Sequence, residues 1–144
     1  MTKTEEAVAL FKDGYNCAQA VLAAFAPELG LARELALRIA TPFGGGMHRM
    51  EGICGALAGA ILAIGLEHGT VKAGDREAKE NAYRLVRDLT EAFRARHGTL
   101  LCKELLGFDL STPDGFALAR GKGLFKTLCP TLVRDAAEIL APML

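Results

Sequence analysis

Residues 75–97, DREAKENAYRLVRDLTEAFRARH, decide the fold. Ala78, Ala82, Leu85, Leu89 and Phe93 recur three or four positions apart, and Lys79, Glu80, Arg84, Arg87, Asp88, Glu91 and Arg94 fill the remaining face. That is the pattern of an amphipathic helix with one stripe on a core, and Gly98 supplies a C-terminal stop. A stripe of this length needs partners, and strand-type alternation is hard to find anywhere else in the chain. The partners are expected to be helices.

Reading outward toward the C-terminus, Thr99 can cap a short helix over Leu100 to Leu106 that is closed by Gly107 and carries Cys102 in its first turn. Ser111-Thr112-Pro113 marks another start, with proline preset for the first helical position. Cys129-Pro130 then precedes a last packed helix, Thr131 to Leu140.

Toward the N-terminus, Thr2 and Glu5 have capping-box spacing, and Leu10, Phe11, Ala18, Val21 and Phe25 recur at helical intervals. Gly14-Tyr15-Asn16 breaks that run. Asn16 is a good N-cap, which puts Cys17 at the first position of a second helix. After a short helix over Leu31 to Ile39, Thr41-Pro42 and Gly44-Gly45-Gly46 read as a flexible loop that delivers Met47 to Gly52, and a new helix carries Cys54 in its first turn. The expected architecture is all-α: a single domain over residues 1–144, built as a bundle of about six to seven helices with a small-residue-rich central helix.

A chain of 144 residues buries a core without help from disulfides or metals, so nothing forces its four cysteines into a purely structural role. Seventeen basic residues balance 17 acidic ones, and a nucleic-acid partner is disfavoured. The uncharged run Gly52 to Leu66 is too short to cross a bilayer and reads as a core helix. The start, Met1-Thr2-Lys3-Thr4-Glu5-Glu6, shows no export signal, and a reducing, cytoplasmic home is expected. There, cysteines are free, catalytic or metal-bound more often than bridged.

All four cysteines, Cys17, Cys54, Cys102 and Cys129, fall at or near expected helix starts, where unpaired N–H groups and the positive dipole end favour thiolate, the nucleophilic and metal-binding form. No Cys-x-x-Cys pair exists, so a thioredoxin-type site, a zinc ribbon and covalent haem attachment lack their signature. Any bridge or metal site has to be assembled by the fold, with the pairing left open. Four converging thiolates would equally hold zinc or an iron–sulfur cluster.

Gly55, Gly59 and Ala63 share one stripe of the central helix, with Gly52, Ala56 and Ala60 on the adjacent one. Interior glycines cost up to about 1 kcal/mol each, so a close neighbour is expected to compensate: another helix, or a partner sulfur, metal or substrate beside Cys54. His48, Met47 and Met50 lie within reach as auxiliary groups. His68 and His97 suit helix C-termini, where a cation is favourable. The Gly44 to Gly46 loop lacks the Gly-Lys-Ser/Thr and the preceding strand of a phosphate cradle.

The order Cys17, then Cys54-Gly55-Ala56-Leu57-Ala58-Gly59, then Cys102 and Cys129, with Gly14-Tyr15-Asn16-Cys17-Ala18-Gln19-Ala20-Val21 and the glycine loop around it, resembles the C_GCAxxG_C_C family of redox-active proteins, marked by four cysteines and a Cys-Gly-Ala-x-x-Gly motif. The resemblance implies a thiol-based redox role, sometimes near transporters, acting on a redox partner or a small-molecule substrate. Within it, Cys54 is the expected attacker, because a helix start flanked by glycine offers acidity and access. Cys17 is the resolving thiol on family grounds alone, and Cys102 with Cys129 form a second pair or relay. A metal-binding electron-transfer module and a redox-sensing accessory protein beside a transporter are the rival expectations. Small-residue helix faces would also suit a homodimer.

Overall fold

A computed structural model describes residues 1–144. Seven right-handed helices of eight or more residues carry the fold: α1 (Lys3–Lys12), α2 (Cys17–Phe25), α3 (Arg33–Ala40), α5 (Gly55–His68), α6 (Arg76–His97), α8 (Pro113–Gly121) and α10 (Cys129–Leu140). Between them lie three short segments, α4 (Gly44–Arg49), α7 (Cys102–Leu106) and α9 (Leu124–Thr127), and three 3-10 turns. The all-α expectation holds. The only strand-like pairing is an antiparallel bridge between Ile53 and Leu101.

Thr2, Asn16 and Gly98 act as read, whereas Thr99 does not cap α7, whose N-cap is Leu101 with no side-chain cap bond. Thr2 and Glu5 close a capping box on α1, Asn16 and Gln19 close another on α2, and Asp75 caps α6 by accepting from the Ala78 N–H at 3.2 Å. Gly98 ends α6 with a left-handed backbone. Leu89 and Phe93 of α6 are fully buried, while Ala82 and Leu85 sit only half-buried at the edge of the core.

α2 packs most extensively on α5, and α10 and α1 close over them. At Gly59 the two helices approach to backbone contact: a Cβ there would stand 2.5 Å from the Ala18 carbonyl oxygen and 3.1 Å from Val21 Cβ. Backbone against backbone is the compensation for a glycine inside a helix. The result is a core cluster of 27 buried residues, with a second cluster of Cys102, Leu106, Leu110 and Ala119 beside it. No polar or charged residue is buried.

The glycine loop departs from expectation. Instead of a flexible connection, Gly45, Gly46, Met47, His48 and Arg49 all adopt positive φ, from 55° to 74°, and α4 is a turn of left-handed helix. L-residues avoid this hand because Cβ crowds the following carbonyl, at about 1–2 kcal/mol per residue. Only the glycines enter it freely, so Met47, His48 and Arg49 are held there by what surrounds them. A Cβ on Gly46 would lie 2.7 Å from Cys102 Cβ and 3.1 Å from the Gly52 carbonyl oxygen, so the turn is pressed onto the start of α7.

Candidate functional site

Four helix starts meet at the seam between the two clusters, and each carries a cysteine. Cys17, Cys102 and Cys129 are the first residues of α2, α7 and α10, and Cys54 is the N-cap of α5. All four line one cavity of about 530 Å³. Cys17 and Cys54 border it from the larger cluster, Cys102 and Cys129 from the smaller. All four are free thiols, Cys54 and Cys102 buried and Cys17 and Cys129 half-buried.

Cys17 is placed by its cap. Asn16 Oδ1 accepts from the Gln19 N–H at 2.9 Å and Gln19 Oε1 accepts from the Asn16 N–H at 2.9 Å. The same two side chains reach across to α3: Asn16 Nδ2 donates to the Thr41 carbonyl at 3.0 Å, and Gln19 Nε2 donates to the Leu37 carbonyl at 3.0 Å and to Thr41 Oγ1 at 2.9 Å. The Cys17 sulfur then rests where a Cβ of residue 55 would stand. Gly55 thus makes room for a partner sulfur beside Cys54, while Gly59 serves plain helix packing. The glycine stripe does both jobs expected of it, at different positions.

Cys54 and Cys102 are tied by the bridge. Cys54 N–H donates to the Leu100 carbonyl at 2.7 Å and Cys102 N–H donates to the Gly52 carbonyl at 3.1 Å, flanking the Ile53–Leu101 pair. Because side chains alternate across extended backbone, both cysteines fall on the side opposite Ile53 and Leu101.

The expected net acidification does not survive burial. Desolvation raises the Cys17 pKa, although backbone N–H groups of Gly45, Ala18, Cys17 itself and Ala56 pull it back. Cys54 stands well above the ordinary thiol value, first through burial and then through the nearby Cys17 charge. Burial pushes Cys102 up to about 12, with Cys17 adding to it, and likewise Cys129, to which Cys17 and Cys102 add. A helix start is worth roughly 0.3–1 kcal/mol to an anion, whereas burial moves a pKa by several units. Cys54, Cys102 and Cys129 each also feel at least one other thiol, so ionising that neighbour opposes their own ionisation.

Other expected groups scatter. His48 lines the cavity from α4, but Met50 is 72% exposed, and Met47 packs against Gly52 outside the cavity lining. His68 Nε2 lies 2.6 Å from the Met143 carbonyl oxygen and His97 Nε2 lies 2.8 Å from Asp135 Oδ2, so both tie helix ends to the C-terminal segment. No three His, Cys, Asp or Glu side chains are grouped to hold a metal ion. Sequence reasoning missed Arg49, Tyr15, Phe116 and Phe125 in the cavity wall. Only Tyr15, beside the break at Gly14, carried any local signal.

Comparison with curated proteins and with solved structures gave no match. No helix is long and apolar enough to cross a membrane. One family model does match, over residues 15–143, under the description "Putative redox-active protein (C_GCAxxG_C_C)". Its label spells the central motif Gly-Cys-Ala-x-x-Gly. Here the order is Cys54-Gly55-Ala56-Leu57-Ala58-Gly59, the glycine following the cysteine, and that glycine is the one on which the Cys17 sulfur rests. With nearly the whole chain matched and all four cysteines gathered at one cavity, the chain belongs to the C_GCAxxG_C_C family of redox-active proteins.

Proposed function

We propose that this protein carries out dithiol/disulfide exchange in a reducing, cytoplasmic compartment, with Cys17 as attacking thiolate and Cys54 as resolving thiol. The observation that carries the reading is the convergence of four cysteines, distant in sequence, on one cavity at four helix starts.

The order of attack reverses the one that glycine flanking suggested. Cys17 keeps solvent-accessible surface and has four backbone N–H groups to stabilise its thiolate, whereas Cys54 is 3% exposed and its thiol is the harder to ionise. In the cycle, the Cys17 thiolate displaces one sulfur of a disulfide R–S–S–R, releasing RS⁻ and leaving a mixed disulfide. Cys54 loses its proton and attacks the Cys17 sulfur, the second RS⁻ departs, and an intramolecular Cys17–Cys54 disulfide remains. The protein has lost two electrons and the substrate has gained them. Cys102 and Cys129, at the smaller cluster, form a second pair able to reduce the first by the same exchange.

The test is a free-thiol count and an elemental metal analysis on protein purified without oxygen, repeated after mild oxidation. Thiols that vanish reversibly in pairs, with Cys17→Ser abolishing exchange and Cys54→Ser trapping the mixed disulfide, support the reading. Stoichiometric metal, with thiols inert until it is chelated, replaces it by a metal-binding electron-transfer module.

A further inference from the structure

The wall of the cavity narrows what its substrate can be. It is lined by Tyr15, Phe116, Phe125 and other apolar side chains and contains no aspartate or glutamate; its charged or chargeable side chains other than the thiols and Tyr15 are His48 and Arg49. Both are exposed and stand on the left-handed turn at the mouth. Arg49 makes no ion pair: of the carboxylates in the adjoining crevice, Glu51 is taken by Lys103 at 3.1 Å and Asp109 accepts from Ser111. Instead its guanidinium lies 4.0 Å from the centroid of the Phe116 ring. Stacking of this kind fixes the plane of the group while leaving its N–H donors free for an oxyanion.

Resting on the thiol-exchange reading, we propose that the substrate is a low-molecular-weight disulfide with an apolar or aromatic body and a carboxylate, the carboxylate held by Arg49 at the mouth and a sulfur delivered to Cys17 inside. A cavity of about 530 Å³ is the size that encloses a small ligand. A folded protein's disulfide would have to pass the same rim to reach Cys17 in the cavity wall. The preference for an anion has to be local, because 17 acidic residues cancel 17 basic ones across the chain.

The experiment compares second-order rate constants for reduced protein with two aromatic disulfides, anionic dithiobis(nitrobenzoate) and neutral dithiodipyridine, across a range of salt concentrations. The anionic reagent should be favoured at low salt and lose that advantage as salt rises, and Arg49→Gln should lower the anionic-to-neutral ratio roughly tenfold. Gln keeps a Cβ at φ 63°, so the substitution changes charge without changing the backbone demand. A ratio indifferent to both salt and Arg49 overturns the substrate assignment while leaving the exchange reading intact. If the neutral reagent reacts with no thiol until the protein is unfolded, the exchange reading itself falls.

Discussion

A β-carbon on Gly55 would fall on the sulfur of Cys17. The two residues are complementary halves of one packing solution, and neither can grow alone. Gly55→Ala should therefore destabilise the protein by about 1–3 kcal/mol, even though alanine gains up to about 1 kcal/mol as a helix former. The Phe43 carbonyl oxygen at 3.1 Å and Gly44 Cα at 3.2 Å block any escape. In a double-mutant cycle read by urea unfolding, Cys17→Ala should recover at least 0.5 kcal/mol of that loss, as roughly expected for residues in direct contact. Additive effects would show that the sulfur does not occupy that space.

The raised thiol pKa values make stability fall in alkali. Each raised thiol is neutral in the folded chain over a range where the unfolded chain, with thiols near an ordinary 9.0, has ionised, so the unfolded state binds fewer protons. The contribution is complete below about pH 9 and is lost as pH rises toward 12. Urea midpoints of reduced protein should drop between pH 8 and roughly pH 10.5. The drop should be shallower in Cys102→Ser than in the parent. Equal slopes would place Cys102 in water.

Within the left-handed turn, glycine and non-glycine positions should respond in opposite senses. Gly46→Ala meets both the wrong-handed backbone and Cys102 Cβ, a loss of about 2–4 kcal/mol. His48→Gly removes an exposed side chain from a residue at φ 55°, which relieves strain and raises stability by about 0.5–1 kcal/mol after the entropy of the added glycine. Thermal unfolding of the two variants decides it. A destabilised His48→Gly would mean that the imidazole holds the turn in place.

Asn16→Ala should cost about 1–2 kcal/mol, since the residue both caps α2 and bonds to Thr41. More telling is where the loosening appears. Cys17 lies in the first turn that Asn16 holds, so its alkylation by neutral iodoacetamide should speed up several-fold more than that of Cys54, as mapped by mass spectrometry. Uniform acceleration of all four thiols would indicate global opening instead.

Most of the helical framework was legible because it is written locally. Thr2 with Glu5, Asn16 and Gly98 each announce a helix end within a few residues of where it acts, and Asn16 so fixes Cys17 as the first residue of α2. What escaped is tertiary. The hand of Met47 to Arg49 has no local cause, because those side chains disfavour it, and only the fit of Gly46 onto Cys102 explains it. The pKa reversal escaped for the same reason. Helix starts were visible one by one, but their joint burial at a seam between two clusters was not. Phe116 and Phe125 carried no signal of their own until α8 and α9 packed them with Cys129 against the smaller cluster.

The contact at Gly59 has a mechanical consequence. With backbone already on backbone there, α2 and α5 have no travel left along the line that joins them. The sulfurs of Cys17 and Cys54, each carried at the start of one of these helices, can close a bond only by turning about their own side-chain torsions. In the proposed exchange the two helices would act as a rigid board to which a pair of switch contacts is fixed: electrons would come and go through the swing of the contacts, with the board keeping one shape.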